Sequence, residues 1–150
     1  MNNKKFLGLI GYGYWGKNLA RDFNALGALK AISDINPKAK NEIRRISKNI
    51  LYRSNYKEFL KDGDISGVAI ATPAKSHYRI VRDSLIAKKN VFVEKPLCLN
   101  YSDGKKLVLL AKKNKLKLMV GHLMLYHPAF KKMIESIKHT IDYLINYLIT

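Results

Sequence analysis

Cysteine is nearly absent from this sequence. The only cysteine among its 150 residues is Cys98, so the chain can form no internal disulfide and no cysteine-rich metal site. Long apolar runs are also missing, because no stretch reaches the roughly 18 uninterrupted apolar residues that a membrane helix requires. Glycines and the charge of Lys17 interrupt the apolar run at the amino terminus too early for a signal peptide. The sequence therefore predicts a cytoplasmic protein with no membrane contact.

Acidic residues are scarce as well. Against 28 Lys and Arg there are 11 Asp and Glu, which gives a net charge of +17. Such an excess suggests binding to nucleic acid or to another anionic surface. The basic residues are 22 lysines and only 6 arginines, however, and recognition of base edges and phosphates favours arginine. The sequence therefore disfavours nucleic-acid binding as the main role, and the charge would instead attract an anionic substrate such as a sugar nucleotide.

Three of the nine glycines lie together after the first apolar run. Residues 6–10 are apolar, and Gly11, Gly13 and Gly16 then form a GxGxxG pattern. After the glycines the apolar residues change to helical spacing, at positions 15, 19, 23 and 26. A buried strand, a glycine turn and a helix are therefore predicted, which is the arrangement that binds the pyrophosphate of a dinucleotide.

Asp34 supplies the acidic partner that this pattern needs. It ends the next apolar run and follows Gly16 by eighteen positions, where a carboxylate that holds the adenosine ribose belongs. Gly11 permits the tight turn, Gly13 lets the backbone approach the pyrophosphate, and Gly16 allows helix and strand to pack closely. The alternative is a glycine-rich turn that binds nothing, and the agreement of spacing, flanking periods and carboxylate disfavours it. A negative charge at the ribose predicts NAD(H) rather than NADP(H).

Strands and helices are predicted to alternate along the whole chain. Each crossover is long enough for parallel pairing, which predicts an α/β fold with a doubly wound parallel sheet of the Rossmann type. Ser76 and Ser102 are the expected amino-terminal caps of two helices. The predicted domains are a dinucleotide-binding domain, residues 1–122, and a helical extension with an apolar tail, residues 123–150. The predicted strands are residues 6–10, 28–33, 50–53, 66–72, 90–94 and 116–120, and the predicted helices include residues 37–47, 76–89 and 128–138.

Polar residues follow several of the predicted strands, and ligands of such sheets lie beyond the carboxyl ends of the strands. Lys95 is the one lysine expected there rather than on a helix exterior. It could hydrogen-bond a reacting hydroxyl or form an ion pair with Glu94, and its position leaves both roles open. His77 fits a structural role near a helix start better than a catalytic role, and His122 and His127 flank a region where substrate could approach. No spacing of histidine and acidic residues indicates a metal site.

Five segments carry a resemblance to a known family: GYGYWGKNLARDF, SDINP, ATPAKSH, NVFVEKPLCLN and GHLMLYHPAF. In this order and spacing they resemble the Gfo/Idh/MocA oxidoreductases, the family of glucose–fructose oxidoreductase and inositol dehydrogenase. The resemblance covers residues 4–132. The motif sequences are most similar to those of members that act on nucleotide-linked sugars, such as the UDP-N-acetyl-glucosaminuronate 3-dehydrogenases.

The resemblance implies an amino-terminal Rossmann domain that binds NAD and transfers hydride between nicotinamide and a hydroxyl carbon of a sugar or sugar nucleotide. It implies that Lys95 is the catalytic residue, near the nicotinamide and the substrate. The residues that it assigns to the cofactor are Gly11, Tyr12, Gly13, Tyr14, Trp15, Gly16, Asp34, Thr72, Pro73, His77, Glu94, Lys95 and Pro96, and those on the substrate side are His122 and Tyr126.

The carboxyl-terminal segment departs from the family. The family continues into a second α/β domain that binds substrate, whereas this chain ends in HTIDYLINYLIT, which does not resemble that continuation. We therefore expect a truncated chain without the substrate domain. The alternative function is a non-catalytic dinucleotide-binding protein that acts through a partner. The apolar tail predicts that the chain associates into a homo-oligomer.

Overall fold

The computed structural model describes residues 5–149, with side chains described for residues 5–140. A six-stranded sheet forms the centre of the fold, and all of its neighbouring strands pair in parallel. The spatial order of the strands is β3-β2-β1-β4-β5-β6. The strands are β1 (Phe6–Ile10), β2 (Leu29–Ser33), β3 (Leu51–Arg53), β4 (Ile65–Ile70), β5 (Asn90–Val93) and β6 (Leu118–Val120). The helices are α1 (Tyr14–Ala25), α2 (Ala39–Ile46), α3 (Lys57–Leu60), α4 (His77–Ile86), α5 (Tyr101–Lys113) and α6 (Pro128–Ile149), with 3₁₀ turns at Ala74–Ser76 and Leu123–Tyr126.

Both faces of the central part of the sheet are covered, which explains why the central strands β1 and β4 contain no charged residue. Along β1, Leu9 belongs to a core with Ala20 of α1 and Ile43 of α2. Its neighbour Ile10 belongs to a second core, on the opposite face, with Leu85 of α4. Burial of each such leucine or isoleucine side chain contributes about 1.5–3 kcal/mol to the free energy of unfolding. The predicted doubly wound parallel sheet is therefore confirmed.

The strand order reverses between β1 and β4. The chain proceeds from β1 outward to β2 and β3, and then returns to place β4 on the other side of β1. The loops that follow β1 and β4 consequently diverge and leave a crevice at the carboxyl ends of the strands. This crevice is where a doubly wound sheet binds its ligand.

Several element boundaries differ from the prediction. Strand β6 begins at Leu118 rather than at residue 116, because the backbone N–H of Leu116 donates to the Ala111 carbonyl and so closes α5. The cap of α5 is Asn100 rather than Ser102, since the Asn100 side chain accepts from the Ser102 N–H at 2.9 Å. Ser76 makes no side-chain capping bond to α4.

Helix α6 is longer than predicted. It runs from Pro128 to Ile149 instead of ending near Lys138, and the sequence offers no glycine or proline after Pro128 that would stop it. Across residues 5–149 we find no helix with both the length and the apolar character needed to span a bilayer.

Candidate functional site

The glycine turn between β1 and α1 is closed by backbone contacts. Gly11 has φ +95°, and a Cβ built on it would lie 2.6 Å from the Ala71 carbonyl oxygen. A Cβ on Gly16 would overlap the Gly11 carbonyl oxygen. Gly13 differs, because a Cβ built there meets nothing within 4 Å. Gly11 and Gly16 are thus required by the packing of the chain itself, whereas Gly13 leaves room for a ligand to approach the backbone.

The amino end of α1 is free to bind an anion. Gly13 occupies the cap position, no side chain caps the helix, and no acidic residue lies in its first turn. The first backbone N–H groups and the positive end of the helix dipole are therefore available to a phosphate. Tyr14 and Trp15, both exposed, lie beside this end with their rings 5.6 Å apart in an edge-to-face arrangement. The Tyr12 ring is buried in the core instead, so its contribution to the site is its backbone.

Asp34 is held in place across the ends of β1 and β2. Its Oδ2 accepts a hydrogen bond from the Tyr12 backbone N–H at 2.6 Å, and its Oδ1 accepts from the Asn36 N–H at 2.7 Å. The Tyr52 hydroxyl donates to the Asp34 carbonyl at 2.9 Å and fixes the backbone from behind. Each carboxylate oxygen retains a lone pair, so the half-buried carboxylate can still accept from both hydroxyls of a ribose.

A cavity of about 310 Å³ lies in the crevice between the strand ends. Its lining includes Gly11, Gly13 and Asp34, which the spacing predicted for the cofactor, and Thr72 and Pro73, which the family resemblance implied. A larger cavity of about 470 Å³ lies beside the amino end of α5 and contains none of the predicted site residues. The smaller cavity joins the glycine turn to Asp34, and on that ground we identify it as the candidate site.

Several lining residues of this cavity were not among the predicted site residues, and Ile35, Lys75 and Arg79 are three of them. Ile35 directly follows Asp34, and the other two lie four residues apart around the start of α4, which follows β4. Their position after strand ends was a usable signal. It was overlooked because lysine and arginine at the start of a helix look like ordinary surface residues.

His77 does not line the cavity as the resemblance implied. Its ring is 1% exposed and lies beneath the loop, with Nε2 at 2.7 Å from the Thr72 carbonyl oxygen and Nδ1 at 2.6 Å from the Pro96 carbonyl oxygen. Both ring nitrogens are therefore occupied by backbone groups. This histidine contacts the loops after β4 and β5.

Lys95 and His122 follow the carboxyl ends of two neighbouring strands, β5 and β6. Val93 of β5 pairs with Val120 of β6, so the residues that follow the two strands leave the sheet side by side. Both side chains are exposed, and within residues 5–140 Lys95 takes part in no hydrogen bond or ion pair. The ion pair with Glu94 that the sequence left open is thus not formed.

Glu94 and Pro96 complete the signature around Lys95. Glu94 is 9% exposed, and its carboxylate packs against Gly121, where a Cβ would lie 3.2 Å from Oε2. Pro96 follows Lys95 through a cis peptide bond. Tyr126, in the 3₁₀ turn after β6, is exposed. Among the described residues, no three histidine, cysteine, aspartate or glutamate side chains come together in a group that could hold a metal ion.

The fold and this site together define a dinucleotide-binding Rossmann domain. The strand order, the glycine turn with open space at Gly13, the uncapped end of α1 and the fixed carboxylate of Asp34 all suit a pyrophosphate and its adenosine ribose. The residues present therefore fit a nicotinamide dinucleotide.

Comparison with known proteins identifies the family. The chain belongs to the Gfo/Idh/MocA oxidoreductases, because the family model described as "Oxidoreductase family, NAD-binding Rossmann fold" matches residues 6–122. The resemblance noted in the sequence is thereby confirmed. NAD is accordingly the cofactor of this domain.

Individual relatives agree with the family assignment. The chain is 28% identical over 138 residues to myo-inositol 2-dehydrogenase of Thermotoga maritima and 25% identical over 129 residues to UDP-N-acetylglucosamine 3-dehydrogenase of Acidithiobacillus ferrooxidans. These matches cover 89% and 86% of this chain and 40% of each relative. The crystal structure of GenD2 from gentamicin A biosynthesis, in complex with NAD, superposes with a TM-score of 0.78 at 25% identity, over 83% of this chain and 36% of GenD2. The chain thus spans about two fifths of the length of its curated relatives.

Proposed function

We propose that this chain is the NAD-binding part of a dehydrogenase that transfers hydride between nicotinamide and a hydroxyl carbon of a sugar or sugar nucleotide. The observation that carries the proposal is an exposed Lys95, unpaired among the described residues, at the carboxyl end of β5, the strand next to β4, whose following loop lines the cavity. The proposed cofactor contacts are the glycine turn, the exposed rings of Tyr14 and Trp15, Asp34, Thr72 and Pro73. The two relatives support the substrate class, since their names describe dehydrogenases of a cyclic polyol and of a sugar nucleotide.

Oxidation of a hydroxyl carbon removes a hydride from the carbon and a proton from the oxygen. NAD, when bound, supplies the hydride acceptor. The Lys95 ammonium donates a hydrogen bond to the substrate oxygen and stabilises the negative charge that develops there. His122, which follows the neighbouring strand β6, accepts the hydroxyl proton, and Tyr126 contacts the substrate. Each of these side chains is exposed and therefore accessible to a substrate.

Titration of the chain with NADH, followed by nicotinamide fluorescence, tests the binding half of this proposal. Absorbance at the NADH band, measured with NAD and a panel of cyclic polyols, sugars and sugar nucleotides, tests the catalytic half. Binding together with turnover supports the proposal. Binding without turnover on any compound supports the second candidate, a dinucleotide-binding chain that requires a partner for catalysis. Absence of NADH binding would contradict both.

Lys95→Ala should separate catalysis from binding. We expect turnover, in the chain alone or with a partner that holds the substrate, to fall by about 10²–10³, the usual loss when one donor to a developing oxyanion is removed. The NADH Kd should rise by no more than about three- to tenfold, the effect of one lost hydrogen bond at the nicotinamide half, because Lys95 does not line the dinucleotide cavity.

The matched control for that variant is Lys113→Ala. Lys113 is an exposed lysine at the end of α5, so the control makes the same change in charge away from the site and should alter neither quantity. A Lys95→Ala chain that keeps its turnover would show that Lys95 is not catalytic, and one that loses its fold would show that Lys95 is structural.

We further propose that residues 123–150 form a segment distinct from the dinucleotide-binding domain, residues 1–122, and that two copies of the chain associate through α6. The family match ends at residue 122. On α6, Met133 and Ile137 are 48% and 50% exposed. Apolar residues occupy positions 130, 134, 137, 141, 144 and 148, and this alternation of four and three is the spacing of a two-stranded helical pair. The exposed apolar side chain of Ile137, together with this spacing of apolar positions in the sequence, favours a partner.

Light scattering of the eluting chain should therefore report a dimer, and Ile137→Lys or removal of residues 139–150 should give a monomer. The control is Leu26→Lys, which places the same charge on an exposed leucine at the end of α1 and should leave the dimer unchanged. If the unaltered chain is a monomer at about 100 μM, the proposed dimer is contradicted, because a dissociation constant above that concentration would make association negligible.

A further inference from the structure

His77 joins two loops that the proposed function uses separately. It is the first residue of α4, yet its buried ring reaches the Thr72 carbonyl in the loop after β4 and the Pro96 carbonyl in the loop after β5. Thr72 lines the dinucleotide cavity, and Pro96 directly follows Lys95. The ring thus connects Thr72, in the cavity wall, with Pro96, the residue that follows the proposed catalytic residue Lys95.

The two ends of this bridge are fixed to different degrees. Near Thr72, the Ser76 Oγ lies 2.8 Å from Thr72 Oγ1 and 2.7 Å from the Pro73 carbonyl oxygen, so that loop is also held by its own hydrogen bonds. Residues 95–97 take part in one hydrogen bond with the described part of the chain, the contact between the His77 ring and the Pro96 carbonyl. The position of the Lys95 segment therefore depends on the histidine more than the Thr72 loop does.

The chemistry of the ring suits this role better than catalysis or packing. A ring that is 1% exposed with both nitrogens against carbonyl oxygens has no free atom for a substrate or a reacting proton. A phenyl ring would fill the same volume but would leave two buried carbonyls without these partners, which is costly.

We propose that His77 is a positioning residue, which holds the backbone at Pro96 and thereby sets where Lys95 stands against the nicotinamide half of the bound cofactor. This inference rests on the proposed role of Lys95. It assigns His77 no contact with the adenosine half, which is held by Asp34 and the glycine turn on β1 and β2.

The first test needs no cofactor. In amide correlation spectra of the full chain, His77→Asn should shift the signals of Thr72, Lys95 and Leu97 and leave those of Gly13 and Asp34 in place. His139→Asn makes the same change at an exposed histidine of α6 and should shift none of them. His77→Gln, which keeps a side-chain donor of greater reach, is the second variant. Contacts between the ring protons of His77 and Pro96 in the unaltered chain provide a measurement that does not depend on either variant folding.

The second test compares NADH with ADP-ribose, which lacks the nicotinamide. The unaltered chain should bind NADH more tightly. His77→Asn should reduce that advantage by about three- to tenfold, the effect of one lost hydrogen bond, with the ADP-ribose Kd changed less than about twofold. In a chain that also carries Lys95→Ala, His77→Asn should cause no further loss, because the two residues act through the same contact.

The outcomes separate this inference from the function on which it rests. Shifts confined to the two loops, together with loss of the NADH advantage, support the positioning role. Loop shifts with an unchanged NADH advantage overturn it, as do shifts that spread to Gly13 and Asp34. Loop shifts in a chain that binds neither ligand would mean that the bridge exists but that the dinucleotide function, and with it the proposed purpose of the bridge, is wrong.

Discussion

Gly16→Ala should destabilise the chain by about 3 kcal/mol or more, whereas Gly13→Ala should leave the fold intact and weaken NADH binding. The Cβ at position 16 would overlap the Gly11 carbonyl oxygen, which is backbone and cannot rotate away. Gly11 cannot yield either, since it packs against Ala71 and its N–H donates to the Ser33 carbonyl at 2.8 Å. Inserting a methyl group into such packing typically costs 1–3 kcal/mol, and the absence of any flexible neighbour sets the expectation at the upper end.

A Cβ at position 13 would meet no protein atom within 4 Å. The backbone of Gly13 has an ordinary φ of −77°. Alanine should therefore fold normally there. The added methyl group would project from the cavity lining into the space through which the pyrophosphate approaches the backbone. We expect the NADH Kd to rise by about tenfold or more, a loss of about 1.4 kcal/mol.

Urea denaturation and NADH titration of Gly16→Ala, Gly13→Ala and a control variant distinguish the effect on stability from the effect on affinity. Gly63→Ala is the control, because its Cβ also meets open space but lies in the loop before β4, away from the cavity. It should change neither stability nor affinity. An unchanged NADH Kd in Gly13→Ala would place the pyrophosphate elsewhere, and normal stability in Gly16→Ala would contradict the close packing of α1 on β1.

Local sequence was sufficient for most of the sheet because the central strands β1 and β4 are covered on both faces. Such strands are uninterrupted apolar runs, and the change to helical spacing after Gly11 indicates where β1 ends and α1 begins. Leu116 shows the limit of this reasoning. It is apolar and adjoins a strand, but it closes α5 through its bond to Ala111 while Lys115 takes a left-handed turn at φ +55°. An apolar residue that covers the end of a helix cannot be told from the first residue of a strand by pattern alone.

The candidate site was predictable where its chemistry lies in the local chain. Asp34 and the glycines are fixed by spacing within one strand–helix–strand unit. His77 was not predictable in the same way, because its partners lie five and nineteen residues away. The direction of its ring depends on how the loops after β4 and β5 pack together, which is a tertiary property. The exposed position of Lys95 depends likewise on neighbours that are distant in sequence.

The unaltered chain should bind NADH more tightly than NADPH, and substitution of Asp34 should remove most of that preference. The carboxylate is oriented by two backbone N–H groups, from Tyr12 and Asn36, at 2.6 and 2.7 Å. Its charge therefore lies in the lining of the cavity and would repel the 2′-phosphate of a dinucleotide bound there. At a separation of about 4 Å, a surface pair of like charges costs up to about 4 kcal/mol at an effective dielectric constant of 20. Screening and the cavity residues Lys75 and Arg79 reduce this repulsion, so we expect a preference of about 10- to 100-fold, or about 1.4–2.8 kcal/mol.

The choice of substitution at Asp34 follows from the same two hydrogen bonds. Asp34→Ala removes the charge and leaves two backbone N–H groups without their acceptor, so it should also lower stability by about 1–3 kcal/mol. Asp34→Asn removes the charge and keeps one acceptor oxygen, but it turns an amide NH₂ toward one of the two donors. We therefore expect both variants to lose the preference for NADH and Asp34→Asn to lose less stability.

Competition between NADH and NADPH, measured by fluorescence at low and high salt, provides the test. The preference of the unaltered chain should shrink as salt rises, since screening weakens repulsion between accessible charges, whereas the variants should show little preference at either salt concentration. Asp22→Asn is the matched control, because Asp22 is an exposed carboxylate of α1 whose side chain pairs only with Arg21 among the described residues. It should retain the full preference. Tighter binding of NADPH by the unaltered chain would refute the assignment of Asp34 to the ribose, because a fixed carboxylate at that position cannot favour an added phosphate.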